Sequence, residues 1–115
     1  MVRSAGFKSI ELLRNAGVKM AYGTDLLGET HEYQNEEFRY RSEVLSSTEV
    51  LASATTIAAE LIGAGERLGV IREGAIADLL VVQGNPLRNI GLLAAPLHNI
   101  KMVVQNGVVV IDRGF

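Results

Sequence analysis

The chain has 115 residues, of which 48% are hydrophobic and 21% charged, a balance that is typical of a folded globular protein and excludes collagen-like and disordered classes. Lys and Arg number 11 against 13 Asp and Glu, so the net charge is −2 and there is no basic excess to attract nucleic acid or anionic lipid. No apolar run approaches the ~20 residues that span a bilayer, and the absence of cysteine excludes disulfides and thiol chemistry.

The chain starts with a pattern typical of a helix followed by a strand. Phe7, Ile10 and Leu13 recur every three positions, which predicts a helix, and Gly17 can close its last turn in the left-handed conformation. Residues 18–22 form a short apolar run that predicts a strand, and the sequence Gly-Thr-Asp at 23–25 ends it. Helix-to-strand steps of this kind occur in parallel sheets and barrels.

The segment 26–41 has no clean hydrophobic period and is rich in Glu and Arg. Unstructured connections of this length are uncommon in compact domains. The segment is therefore interpreted as a functional loop or a short irregular helix, and a solvated acidic loop remains the alternative.

The clearest predicted helix covers residues 48–62, where apolar side chains recur at spacings of one, three and four. Ser46 and Glu49 have the spacing of a capping box, although either of the two residues after Ser46 could also be the cap. Gly63 and Gly65 are expected to end this helix.

The composition changes near Glu66, from mixed α/β before it to mainly β after it. The predicted strand runs are 68–71, 75–82, 100–104 and 108–111. Asn106 and Gly107 lie between the last two runs, and this pair predicts a hairpin because both residues tolerate the positive φ angles of a type I′ turn.

Asp25 follows the first predicted strand directly, at the end where ligands collect in parallel α/β architectures. Its carboxylate could bind a divalent cation or take a proton from metal-bound water. A turn residue that bonds to its own backbone is an equally open interpretation.

The two histidines give weaker signals. His31 begins the sequence His-Glu-Tyr-Gln-Asn, which lacks the second histidine of the H-E-x-x-H zinc motif. His31 could contact a substrate carboxylate or amide, or lie solvated in the loop. His98 is interpreted as structural. The glycine spacing at 63–69 does not match a dinucleotide loop, and the sequence shows no triad motif.

Several of these motifs occur in an order that carries a family resemblance. They are Gly-Thr-Asp at 23–25 and the segments 58–63, 68–79, 84–87 and 103–107. This succession resembles the carboxyl-terminal third of the amidohydrolase superfamily, in the branch of imidazolonepropionase-like enzymes and metal-dependent Xaa-Pro dipeptidases. The sequence Leu-Leu-Gly-Glu at 26–29, with His31, Gln34 and Glu37, is most similar to the dipeptidase group.

The resemblance implies an α/β fold made of the carboxyl-terminal part of a (β/α)8 barrel, residues 1–66, and part of a small β-sandwich domain, residues 67–115. Residues 19–24 would form the eighth barrel strand. Asp25 would then be the aspartate that contacts one metal in the family and moves a proton to the leaving amine. His31 would contact substrate.

The family's other metal ligands lie on earlier strands and have no counterpart in this sequence. A catalytic zinc normally has three protein ligands, and a complete barrel needs about 250 residues. The resemblance therefore predicts that this chain is a carboxyl-terminal fragment of a larger enzyme. That complete enzyme would use a divalent metal, zinc, to hydrolyse a peptide-type C–N bond in a small peptide or amide substrate. This chain alone is expected to be inactive and to hold no metal tightly.

The alternative hypothesis is a non-catalytic module or remnant that folds through association with a partner or with itself. A lone barrel strand at 18–22 would leave its edges and apolar faces uncovered. We therefore expect a homo-oligomer or contact with the missing barrel portion. A cytoplasmic location is the default expectation, with the periplasm and secretion left open.

Overall fold

The computed structural model describes residues 2–23 and 34–114, with side chains from Gly6 onward. The described part contains five α-helices, one 3₁₀ helix and three strands. In chain order they are α1 (Val2–Asn15), α2 (Glu36–Arg41), α3 (Ser47–Ala54), α4 (Thr56–Leu61), β1 (Leu79–Val82), the 3₁₀ helix (Ile90–Ala94), α5 (Pro96–Asn99), β2 (Ile100–Gln105) and β3 (Val108–Asp112).

The first helix ends as the sequence predicts, but the strand after it does not form. Gly17 closes α1 with a φ of 76°, and Val18 N–H donates to the Leu13 carbonyl at 3.0 Å. Residues 18–22 have no strand partner among the described residues, although Tyr22 N–H donates to the Ser53 carbonyl at 2.8 Å. A strand is defined by its ladder, so the predicted strand is wrong for the described chain.

The predicted helix 48–62 is present as two helices. Ser46 is the cap of α3: its hydroxyl accepts from Glu49 N–H at 3.2 Å, and the Glu49 carboxylate accepts from Ser46 N–H at 3.1 Å. This confirms the capping box. The break lies at Thr55, with φ −124° and ψ −88°, where the backbone leaves the helical region before α4 begins.

The last part of the chain forms an antiparallel three-stranded sheet in the order β1-β2-β3. The hairpin between β2 and β3 turns at Asn106 and Gly107, with φ angles of 49° and 80°, which confirms the predicted turn. Asn106 N–H also donates to the Asp78 carboxylate at 2.8 Å, tying the turn to the residue before β1. The predicted run 68–71 is wrong as a strand: it forms bends, with Gly69 at φ 73°.

The buried apolar cluster lies where α3, the 3₁₀ helix and the start of β2 meet. Its members are Leu45, Val50, Ile90, Leu93 and Ile100. Ile90 is fixed from its backbone as well, because its N–H donates to the Ser47 hydroxyl at 3.1 Å. The architecture is α/β, whereas the barrel assignment of residues 1–66 and the sandwich assignment of 67–115 stay predictions. Within the described ranges, no helix is long and apolar enough to cross a membrane.

Gly69 packs its backbone directly against the helix break at Thr55. A Cβ atom added at Gly69 would lie 2.5 Å from the Thr55 carbonyl oxygen and 3.2 Å from the nitrogen of Thr56. Both neighbours are backbone atoms, so they cannot rotate away as a side chain could. The positive φ of Gly69 adds the usual cost of the left-handed region for an L-residue.

We therefore expect Gly69→Ala to lower the free energy of unfolding by about 2–4 kcal/mol, from the backbone clash and the left-handed strain together. Gly74→Ala is the matched control, because Gly74 also has a positive φ, 87°, but open space around its Cβ position. The control should lose only about 1 kcal/mol. Urea denaturation of the two variants measures both values, and equal losses would contradict the packing argument.

Candidate functional site

The two candidate site residues, Asp25 and His31, lie outside the described residues. The structure describes both flanks of their segment, Tyr22 and Gly23 on one side and Gln34 and Asn35 on the other. The structure shows how these flanks are held by the neighbouring helices.

The two flanks are joined by one hydrogen bond. The Tyr22 hydroxyl donates to the Gln34 carbonyl at 2.5 Å, across twelve positions in the chain. The backbone of Tyr22 is fixed at the same time, because its N–H donates to the Ser53 carbonyl on α3. Tyr22 thus makes hydrogen bonds both to α3 and to a residue just before α2.

The ring of Tyr22 is held by two side chains of α2. Phe38 stacks on it, with 4.4 Å between ring centroids and an interplanar angle of 30°. The guanidinium carbon of Arg41 lies 5.5 Å from the centroid of the Tyr22 ring, within the range of a cation–π contact. These contacts restrict rotation of the ring, so the hydroxyl is held in position to donate to the Gln34 carbonyl.

Helix α2 is itself anchored to the apolar cluster. Asn35 Nδ2 donates to the Leu93 carbonyl at 3.0 Å, and Phe38 packs against the cluster. On the surface of the same helix, Arg39 pairs with Glu36 at 2.8 Å. The Nε atom of Arg41 is buried and has no hydrogen-bond partner in the described part of the chain.

The environment raises the pKa of Tyr22 to about 12. Partial burial, which disfavours the phenolate, is the main cause, and the negative charge of Glu37 adds to it. The Arg41 guanidinium opposes both and lowers the pKa. Tyr22 therefore stays a neutral hydroxyl donor throughout the ordinary pH range.

The described residues do not form a metal centre. They contain no group of three or more His, Asp or Glu side chains close enough to hold a metal ion. His98 is exposed on α5, and its interpretation as a structural residue stays a prediction. A catalytic zinc with three protein ligands does not fit the described donor set.

A large cavity lies elsewhere, between α4 and the sheet. It has a volume of about 670 Å³ and is lined mainly by apolar side chains, among them Ile62, Leu68 and Val103. Asp78 contributes a carboxylate to its wall, but that carboxylate already accepts the Asn106 N–H. The cavity is thus a place of incomplete packing rather than a set of converging polar groups.

Sequence reasoning did not single out Tyr22, whose contacts join the two flanks of the candidate segment. The available signal was a tyrosine three positions before Asp25, at the end of the apolar run, where a polar tip can reach out of a packed strand. Its hydrogen-bond partner is a backbone carbonyl, which carries no sequence signal.

Comparison with known proteins decides the family. The model of the amidohydrolase family matches residues 1–110. The chain belongs to this family. The family resemblance predicted from the motif order is confirmed. No curated relative matches the sequence.

Solved structures of amidohydrolases are similar to this chain. One amidohydrolase is 48% identical, with a TM-score of 0.92, over 95% of this chain and 26% of its own. A prolidase complexed with N-methylphosphonate-L-proline is 51% identical, with a TM-score of 0.89, over 93% and 26%. A Xaa-Pro dipeptidase with bound methionine in its active site is 32% identical, with a TM-score of 0.80, over 90% and 25%. The chain spans about a quarter of the length of these amidohydrolases.

The raised pKa of Tyr22 predicts a pH dependence of stability in alkali. Between the ordinary value of 10.0 and the folded value of about 12, the unfolded chain releases the phenol proton first. The contribution of the neutral Tyr22 phenol to the free energy of unfolding is thus complete below pH 10 and is lost as the pH rises through 12.

The free energy of unfolding should fall more steeply over that window in the wild-type chain than in Tyr22→Phe, which has no proton to release. Urea denaturation at several pH values between about 9 and 12 measures the two slopes. Identical slopes would show that burial does not disfavour the Tyr22 phenolate.

Proposed function

We propose that this chain supplies the carboxyl-terminal part of a metal-dependent amidohydrolase that hydrolyses a peptide-type C–N bond, as a Xaa-Pro dipeptidase does. The observation that carries the proposal is the family match over residues 1–110 together with the prolidase and the Xaa-Pro dipeptidase among the similar structures. The phosphonate of proline and the methionine named for those two proteins support a small peptide or amino-acid-like substrate.

Asp25 is the residue of this chain to which we assign the chemistry. It lies three positions after Tyr22 in the sequence, just past the apolar run 18–22. In the proposed reaction its carboxylate accepts a proton from the attacking water and returns it to the leaving amine, acting as base and then as acid. An imidazole can bind a carboxylate or an amide, and we assign His31 to contact with the substrate.

The metal of the complete enzyme is proposed to be zinc, with Asp25 as the contribution of this chain to its surroundings. Members of the family are generally metal-dependent. The family resemblance places the other metal ligands on earlier strands, which this sequence does not contain, and a catalytic zinc normally has three protein ligands. The chain by itself is therefore proposed to be inactive.

The test is Asp25→Asn in the longer enzyme that contains this sequence. The substitution keeps the size of the side chain but removes the proton acceptor, so kcat for a Xaa-Pro dipeptide should fall by roughly 10²–10⁴-fold. Asp112→Asn is the matched control, because Asp112 is an exposed carboxylate on β3 that accepts only the local Gly114 N–H among the described contacts. The control should keep wild-type turnover. Unchanged turnover in Asp25→Asn would remove the proton-transfer role.

A second candidate function, a non-catalytic module that folds by association with itself, is favoured by one observation. Strand β3 is at the edge of the sheet, and all of its residues are exposed, among them Val108 at 63% and Val110 at 52%. An apolar edge strand offers unpaired backbone groups to another strand. Homo-oligomers built through β3 would cover this edge.

Sedimentation velocity over a range of concentrations measures this association. If β3 carries it, Val110→Lys should shift the chain toward the monomer, because a charge on an edge strand opposes pairing. Ile71→Lys is the control: Ile71 is 90% exposed but lies outside the sheet. A monomer at every concentration, or an equal effect of the two variants, would count against the self-associating module.

A further inference from the structure

The tip of the hairpin between β2 and β3 carries the one Asn-Gly pair of the sequence, Asn106 and Gly107. Both residues are exposed, so water reaches the side-chain amide of Asn106. Asparagine is a thermolabile residue, and a following glycine favours its deamidation, because glycine has no Cβ to hinder attack by its own backbone nitrogen. The residue types at this tip are therefore those of a chemically labile site.

The deamidation reaction requires only base and water. The deprotonated backbone nitrogen of Gly107 forms a bond to Cγ of Asn106, and the C–N bond of the side-chain amide breaks. Ammonia leaves, and a cyclic succinimide remains. Water then adds to either carbonyl of the succinimide and opens the ring, which gives aspartate or isoaspartate. The net change is the loss of ammonia and the gain of water, with no oxidation or reduction.

In the folded chain the attacking nitrogen is already engaged. Gly107 N–H donates to the Ala77 carbonyl at 2.9 Å, so removal of its proton also costs that hydrogen bond. Ring closure needs rotation about the backbone bonds of Asn106, and the type I′ turn holds this residue in the left-handed region with a φ of 49°. The closed turn therefore opposes both the deprotonation and the approach of the nitrogen.

A second hydrogen bond anchors the tip to the same neighbouring segment. Asn106 N–H donates to the Asp78 carboxylate at 2.8 Å, and Asp78 directly precedes β1. The pairing of Leu79 with Val104 in the β1–β2 ladder keeps this segment beside the hairpin. A local opening that frees Gly107 N breaks both bonds, so the rate of deamidation depends on the population of that opened form.

We propose that Asn106 is a latent deamidation site, which the hydrogen bonds from the hairpin tip to Ala77 and Asp78 keep from reacting. Reaction proceeds from a locally opened tip and not from the closed turn. It places a carboxylate on the very residue whose N–H the Asp78 carboxylate accepts, and like charges close together oppose that bond. The inference is independent of the proposed function, because it involves neither Asp25 nor a substrate.

The experiment follows Asn106 by peptide mass spectrometry while the 115-residue chain is incubated in mildly alkaline buffer. Replacement of the amide NH₂ by OH raises the mass of the peptide, and chromatography separates isoaspartate from aspartate. In guanidinium chloride, which unfolds the turn, Asn106 should react roughly tenfold faster or more than in the folded chain, because two hydrogen bonds no longer protect it. Equal rates under the two conditions would overturn the proposal.

Variants of Asp78 test the anchor itself in the folded chain. Asp78→Ala removes one of the two bonds and should speed deamidation about fivefold, the size expected for one hydrogen bond. Asp78→Asn keeps an acceptor oxygen and should stay within about twofold of the wild-type rate. Glu73→Ala is the matched control, because Glu73 is an exposed acid in the turn before β1. It should leave the rate unchanged.

The outcomes separate a local effect from other causes. Equal rates in Asp78→Ala and Glu73→Ala would overturn the role of the anchor. Equal acceleration by Asp78→Ala and Asp78→Asn would also overturn it, because the charge of Asp78 and not its hydrogen bond would then set the rate. A parallel rise of amide hydrogen exchange in α3 would count against the proposal, since the variant would be reacting through global unfolding. Acceleration in Asp78→Ala alone, with exchange in α3 unchanged, supports it.

Discussion

The capping box at Ser46 is the constraint on which the rest of the described structure depends, because it fixes where α3 begins. Once that start is fixed, Val50 points into the apolar cluster, where it is fully buried. The same helix presents the Ser47 hydroxyl to Ile90 N–H and the Ser53 carbonyl to Tyr22 N–H. A shift of one residue along α3 would rotate its side chains by about 100° and misplace all of these contacts at once.

Features set by residues close together in the sequence could be predicted, whereas features set by contacts between distant residues could not. The Asn106-Gly107 turn, the Ser46 cap and the end of α1 at Gly17 were predictable because each is set by residues within a few positions. The break at Thr55 was not predictable, because an apolar stripe of helical period continues across it. The backbone of Gly69, fourteen positions along the chain, packs against that break. Tertiary contact overrode local propensity there.

The absence of a ladder at residues 18–22 has a different cause. The apolar run is typical of a strand buried on both faces, and such a strand needs neighbours on both edges. The described part of this chain supplies it with one backbone bond to α3 and no strand partner. The apolar pattern is therefore typical of a strand between two neighbouring strands, and the described residues contain neither neighbour.

The candidate site was predictable only as residue types. Asp25 and His31 could be singled out because acidic and imidazole side chains after an apolar run suit hydrolytic chemistry, but their segment lies outside the described residues. The contacts of Tyr22 were not predictable, because its hydroxyl bonds to a backbone carbonyl twelve positions away and its ring stacks on a side chain of α2. Such contacts become visible only when the fold brings the two flanks together.

Both candidate functions require that the exposed apolar surface of this chain be covered. Leu61 and Ile62, at the end of α4, are more than two-thirds exposed, at 74% and 71%, and β3 adds an apolar edge. Exposed apolar side chains favour burial against another surface, at roughly 25 cal/mol for each Å² removed from water. A chain that spans about a quarter of its structural relatives would meet this demand through the remainder of a longer enzyme. A self-associating module would meet it with a second copy. The exposed surface therefore argues for a covering partner under both hypotheses, and only the chemistry of Asp25 distinguishes an enzyme from a module.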